Sequence, residues 1–196
     1  NYGYEPHQYI ESDYPFPVDP PYVPLDNPCG AYIHKFQYKT NADAPKVYLE
    51  FEGVDSCFYV WLNGIYVGYG QVSHSLNEFD ITDQIAEGEN TLAVLVVKWC
   101  DGSYFEDQDK FRMSGIFRDV YLLNRPENGI QDYFVKAIPS EDYQDGTITI
   151  DFTYRKEPVP VNITLSDAEG KTLAQVTAEG QVSIPVKNAH LWSAED

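Results

Sequence analysis

Two β-sandwiches in succession are predicted, an all-β chain, from three observations. Apolar residues recur with period two over stretch after stretch, Gly, Asn, Asp and Pro separate those stretches, and no segment shows the period of an amphipathic helix. The chain has 196 residues, 43% of them hydrophobic and 22% charged, which is enough apolar material for one large domain or two small ones.

Residues 1–28 are rich in proline (Pro15, Pro17, Pro20, Pro21, Pro24 and Pro28) and carry little periodicity. Proline fixes φ and removes a ladder donor, so this stretch reads as an extended arm lying on the protein rather than a strand within a sheet. Tyr9, Tyr14, Phe16 and Tyr22 give the arm rings with which to adhere. Strands are expected over 31–38, 46–51 and 57–62, and Asn63-Gly64 then marks a hairpin into 65–68. A type I′ turn needs positive φ at both central residues, which Asn and Gly tolerate. Further strands are expected over 79–81, 91–97 and 118–123, the second as a strand buried on both faces because its seven residues include no charge.

Asn124-Arg125-Pro126-Glu127-Asn128-Gly129 breaks the pattern, which places a boundary between a first domain, 1–126, and a second, 127–196. Strands are expected beyond it over 130–138, 146–154, 161–166, 173–178 and 181–186, with an Asp167-Ala168-Glu169-Gly170 turn. They read as the beginning of an immunoglobulin-like sandwich, cut short because that fold needs about seven strands.

Thirteen basic against thirty-one acidic residues give a net charge of −18. Neither nucleic acid nor an anionic membrane surface suits that balance, since both demand a cationic face. Of the cysteines, Cys57 and Cys100 sit among apolar and aromatic residues and read as buried thiols of a reducing, cytoplasmic compartment; Cys29 completes an odd number with no metal-ligand spacing. The four histidines (His7, His34, His74, His190) are scattered and read as structural. Sixteen Tyr, ten Phe and three Trp suit both sandwich cores and sugar-contacting surfaces.

Residues 99–119 are too long for a tight turn between the 91–97 and 118–123 strands. Four acids (Asp101, Glu106, Asp107, Asp109) alternate there with rings and with Arg112 and Arg118. Loops longer than about 12 residues in a compact domain are usually functional or disordered, and the rings argue against disorder. The residues alone leave open a functional loop or a solvated acidic loop pinned by Arg112 and Arg118 through bidentate pairs.

Asp101-Gly102-Ser103-Tyr104, Glu106-Asp107-Gln108-Asp109 and the run from Arg112 to Val120 together resemble the β-galactosidases of glycoside hydrolase family 2. Tyr14-Pro15-Phe16, Asn27-Pro28-Cys29-Gly30, Phe51-Glu52-Gly53-Val54, Trp61-Leu62-Asn63-Gly64, Gly88-Glu89-Asn90 and Leu191-Trp192-Ser193-Ala194-Glu195 follow collinearly. The resemblance implies a jelly-roll, galactose-binding-like sandwich followed by part of the immunoglobulin-like domain, with the barrel that carries both catalytic glutamates downstream. It also implies no catalytic residue in this chain. Asp109 is the implied contact to galactose hydroxyls and the implied ligand of a sodium ion, with magnesium held by the barrel. A second contact is implied in the arm at the position of Glu11, where the family usually has asparagine; an ionised Glu accepts from a hydroxyl but cannot donate as an amide does. The parent is expected to be a homo-oligomer hydrolysing terminal β-D-galactosides. The competing readings are an autonomous carbohydrate-binding module, a piece serving mainly assembly, and a parent with β-glucuronidase or β-mannosidase activity.

Overall fold

The computed structural model describes residues 14–106 and 112–194, and the chain divides into two compact units, Asn1–Pro126 and Glu127–Asp196. Both are built from antiparallel strands. Among the described residues the one helical piece is a single 3-10 turn, Asp101–Tyr104, and no helix is long and apolar enough to cross a membrane.

The first unit contains β1 (Cys29–Tyr38), β2 (Lys46–Phe51), β3 (Val54–Asp55), β4 (Cys57–Leu62), β5 (Ile65–Gln71), β6 (Asn77–Asp80), β7 (Gly88–Val97), β8 (Gly115–Ile116) and β9 (Val120–Arg125). One sheet has the order β1-β7-β4-β5, a second β6-β2-β9, and β3 pairs with β8 as a short ribbon. Period two explains how they meet. Val60 and Leu62 of β4 stand opposite Val94 and Leu92 of β7, so all four point to one face. That face packs against Val47, Leu49 and Phe51 of β2 in a single core. Phe51, Phe58 and Phe79 join rings across it at centroid distances of 4.8 and 6.0 Å. Complete burial of Phe58 contributes about 2–3 kcal/mol.

Two expectations need correcting. The 91–97 strand is buried on one face only: Leu92, Val94 and Val96 are in the core, while Ala93 and Leu95 are half-covered beside Trp61 and Tyr59. A charge-free run therefore did not mean two covered faces; large rings on the neighbouring strand shelter its outer side. The strand expected from Arg118 begins instead at Val120, because Phe117 and Arg118 are engaged with the backbone near Gly53.

The Asn63-Gly64 hairpin forms as the sequence predicts, with φ of 52° and 81°. Asn63 also reaches beyond the turn. Its side-chain amide donates to Asn90 Oδ1 (2.8 Å), and its Oδ1 accepts from the Thr91 N–H (2.9 Å). Asn90, 1% exposed, accepts from the Ala86 N–H and donates to the carbonyls of Ala86 and Gly88. A buried amide with its capacity used in this way fixes the hairpin to the start of β7.

The second unit contains β10 (Ile130–Pro139), β11 (Gly146–Tyr154), β12 (Val161–Ser166), β13 (Thr172–Ala178) and β14 (Val182–Val186). β10-β11-β14 form one sheet and β12-β13 another. The buried part of its core is small: Ile150, Val182 and Ile184, with Ile163, Leu165 and Val176 among the half-buried residues against them. β10 is exposed along its whole length, and an open cleft of about 990 Å³ lies among Ile138, Ile148, Leu165 and Trp192.

Candidate functional site

Asp109 and Glu11, the residues expected to contact sugar, lie outside the described residues, as do Asp107, His7 and Tyr9. What the structure does give is the base from which both segments leave: the end of the arm, and the two limbs of the 99–119 excursion.

The arm and the outgoing limb are joined by rings. Tyr14 stacks on Tyr104 at 5.4 Å with planes 1° apart, while Phe16, 8% exposed, meets Trp99 and Tyr104 edge-on at 5.1 and 5.5 Å. Such pairs are worth about 0.5–1.5 kcal/mol each beyond the area they bury. Polar contacts add direction. The Tyr104 hydroxyl donates to the Tyr22 carbonyl (2.6 Å) and accepts from the Asp19 N–H (3.1 Å). Asn27 behaves as an extra rung of sheet beside Trp99, donating to its carbonyl (2.8 Å) and accepting from its N–H (3.0 Å). The rings expected to hold the arm are thus at work in Tyr14 and Phe16, whereas the Tyr22 side chain is exposed and only its carbonyl is used. Asn27 had no signal as an anchor, because its role depends on where Trp99 lies after β7.

The acids divide by role. Asp101 accepts from the Gly102 N–H (2.9 Å) at the start of the 3-10 turn, which the Ser103 N–H closes on the Cys100 carbonyl (3.0 Å). Glu106 accepts from both the backbone N–H and the hydroxyl of Ser73, each at 2.7 Å. Ser73 is fully buried, so the bidentate grip fastens the limb to the segment after β5. Neither the Ser73 position nor this pairing could be read from spacing along the chain.

The returning limb is also fixed. The Ser114 hydroxyl donates to the Asp55 carbonyl (3.1 Å), β8 pairs with β3, and the Phe117 N–H donates to the Gly53 carbonyl (3.2 Å). A Cβ on Gly53 would stand 2.7 Å from the Phe117 ring, so glycine is needed for this close approach. Of the two alternatives for the loop, pinning through Arg118 finds no acid partner for it among the described residues. Arg118 reaches the carbonyls of Glu52 and His74 (3.5 and 3.4 Å) and lies over the Phe117 ring, because those groups surround it at the foot of the limb. Arg112 is buried, 6% exposed. His74 packs against Phe117, in keeping with a structural role.

Beside this base, an apolar cleft of about 710 Å³ opens between β1 and β9, lined by Tyr32, His34, Leu49, Val94, Ile116 and Tyr121 among others. Its lining offers few polar groups for a sugar's hydroxyls. Beneath the sheet formed by β6, β2 and β9, Glu50 is 1% exposed, with Arg125 Nη2 3.8 Å away and itself 2.6 Å from Glu78. Burial, followed by the Glu78 carboxylate, pushes Glu50 up to about 7, while Arg125 pulls the other way. Cys57 and Cys100 are free and buried, as expected, and Cys29 is free and exposed. No three of His, Cys, Asp and Glu come together as a metal site among the described residues.

Residues 1–126 match the family model of the glycosyl hydrolases family 2 sugar binding domain. The whole chain is 43% identical to β-galactosidases of Actinobacillus pleuropneumoniae and Staphylococcus xylosus, covering 19% and 20% of those proteins. A β-galactosidase of Leuconostoc mesenteroides is 44% identical over 95% of the chain and 20% of its own length. The chain therefore spans about a fifth of the curated relatives it matches. Among solved structures, a β-glucuronidase of an uncultured Clostridium sp. superposes with a TM-score of 0.71 at 26% identity, covering 83% of this chain and 30% of that one. The Bifidobacterium dentium β-glucuronidase complexed with coumarin-3-O-glucuronide gives 0.68 at 21% identity, over 83% and 34%, a likeness of fold.

Proposed function

The chain belongs to glycosyl hydrolase family 2, with its sugar-binding domain at residues 1–126, and from that premise we propose that it is the non-catalytic amino-terminal part of a retaining β-galactosidase. Its work is to supply substrate-contacting residues to an active site formed mainly by the rest of a longer parent. Identity of 43% over the whole chain to proteins named β-galactosidases favours a terminal β-D-galactoside as the parent's substrate over the glucuronides of the structural neighbours, which stand at 26% or less.

The observation that carries the reading is the joint between arm and excursion. Tyr14, three residues after Glu11, stacks on Tyr104, five residues before Asp109, and Glu106 is clamped by Ser73. Segments bearing both candidate contacts thus spring from one packed and hydrogen-bonded base, which favours the positioning of a substrate. The Asp109 carboxylate would accept hydrogen bonds from sugar hydroxyls, and Glu11 could accept another. Retaining hydrolysis needs two carboxylates about 5–5.5 Å apart on either side of the glycosidic bond, and that pair is assigned to the parent's remaining length. A sodium ion would use Asp109 as a hard oxygen ligand. Among the described residues no three of His, Cys, Asp and Glu gather to complete its coordination. Buried free thiols support a reducing, cytoplasmic setting.

Incubating the 196-residue chain at high concentration with a chromogenic β-galactoside should give no turnover that survives repurification, and calorimetry with galactose or lactose should show no sub-millimolar binding. Persistent hydrolysis would move catalysis into this chain. Tight sugar binding would instead favour an autonomous carbohydrate-binding module.

A further inference from the structure

β10 ends its sheet, in the order β10-β11-β14, and is exposed along its whole length. Every second N–H and C=O of an edge strand points away from its neighbour, so β10 offers a row of unused ladder groups. The side chains flanking that row are mostly apolar. Tyr133, Phe134, Val135 and Ile138 are each between 47% and 63% exposed. Its ten residues include one acid, Asp132, and one base, Lys136, and the spacing of these two decides what the edge can pair with.

Register on β11 sorts the strand into two faces. Tyr133 and Val135 stand opposite Phe152 and Ile150, the side of the core, whereas Asp132, Phe134 and Lys136 stand opposite Thr153, Asp151 and Thr149 on the outer side. There Lys136 Nζ lies 5.1 Å from the Phe134 ring centre and 3.7 Å from Asp151 Oδ2, with about half of its side chain exposed. The outer face thus reads acid, ring, base at intervals of two residues. Two such strands running antiparallel about Phe134 set Asp132 of each copy opposite Lys136 of the other, and Phe134 opposite Phe134. On the core side Tyr133 then meets Val135, an aromatic and β-branched pair of the kind that stabilises sheets. Centring on Tyr133 would set Lys136 against Ile130, and centring on Val135 would set Asp132 against Ile138; neither matches the charges. The ladder also has room only around Phe134, because a bulge between Ile130 and Asp132 and the missing N–H of Pro139 bound its regular part.

We propose that β10 is a self-pairing edge: two copies of this chain join β10 to β10 antiparallel about Phe134, making one continuous sheet in the order β14-β11-β10-β10-β11-β14. Such a contact uses the same surface on both copies and therefore closes as a dimer. Charge favours a second copy at this place. Chains of net charge −18 repel one another, whereas β10 is neutral and its acid and base are placed to be each other's partners across a twofold axis. This does not depend on the reading of the chain as part of a galactosidase.

Sedimentation velocity of the folded 196-residue chain, over a concentration series at near-physiological salt, should show monomer and dimer alone. A one-strand contact belongs with small, transient interfaces, so a dissociation constant of about 10–500 µM is expected. Asp132→Lys sets two Lys-Lys pairs across the contact and Lys136→Glu sets two acid-acid pairs, so each should weaken dimerisation at least about tenfold. Mixed in equal amounts, the two variants should form a heterodimer of near wild-type strength, because every pair across it again joins opposite charges. The doubly changed chain should dimerise likewise. A chain that stays monomeric to about 1 mM would overturn the proposal. So would assemblies larger than a dimer, single variants that associate like the wild type, or a mixture no stronger than its parts. Should a variant fail to fold, the wild-type chain decides: amide exchange over 132–136 should slow as concentration rises while that of β14 stays constant, and exchange of 132–136 that ignores concentration would overturn the self-pairing.

Discussion

Glu106 and Asp109 stand three residues apart in one acidic run, yet different work falls to them. The Glu106 carboxylate is consumed by Ser73 and holds the limb in place. Asp109 is the residue proposed to face substrate. The family resemblance singles out Asp109, but nothing along the chain marks Glu106 as an anchor, because the partner that claims it comes from another segment of the fold. Glu50 is a second acid whose role depends on packing. Its period-two position marks the side of β2 opposite Leu49 and Phe51, yet burial there under Arg125 and beside Glu78 holds it up to about 7. Because the fold favours its protonated form, the stability associated with that proton is complete below the ordinary value of 4.5 and is lost as pH rises through about 7. Glu50→Gln, which keeps the shape without the charge, should therefore stabilise the chain at pH 8 by about 1–3 kcal/mol and change little at pH 4. Chemical denaturation at the two pH values measures this; an equal effect at both would show that ionisation of Glu50 is not responsible.

At the scale of elements, the hairpin and its anchor were legible to different degrees. Asn63-Gly64 announces its turn through backbone demands that few other residues meet. Asn90, by contrast, appears in sequence as one more polar residue before a strand, although it joins Asn63, Ala86 and Gly88 in a buried network. Asn90→Ala should cost about 2–3 kcal/mol by leaving those groups unpaired, read as a lowered denaturation midpoint with an unchanged denaturant slope. A loss under about 0.5 kcal/mol would mean that water replaces the amide without penalty. The ribbon of β3 and β8 escaped notice for another reason. Two-residue strands are shorter than any period, and they form because Gly53 lets Phe117 approach and Ser114 returns to the Asp55 carbonyl. The arm was legible in chemistry but not in place: its prolines excluded a ladder and its rings promised adhesion, but only the folded chain shows Tyr14 on Tyr104 and Phe16 on Trp99.

At the scale of the whole chain, strand after strand in both units follows the period-two pattern, since each sheet buries one face and leaves the other near water. Patterning does not report how much core results. Among the described residues the first unit closes two sheets over a core of twelve buried residues, whereas the second buries three hydrophobic residues and leaves β10 exposed. Hydrogen exchange should therefore proceed earlier over 130–186 than over 46–97, with protection strongest at β2, β4 and β7. Equal protection in both units would contradict a stability ranked by core size. What no pattern supplies is the destination of the excursion, because its proposed purpose lies in polypeptide beyond the match of about one fifth to its relatives.

The most direct measurement of the central claim is Asp109→Ala, made both in the full-length parent and in the 196-residue chain. The account predicts that the parent loses at least about tenfold in kcat/KM toward a β-galactoside, roughly 1.4 kcal/mol of transition-state binding, while the short chain keeps its melting temperature. An unchanged kcat/KM, or a short chain that melts far lower, would show that Asp109 supports the fold instead of the substrate.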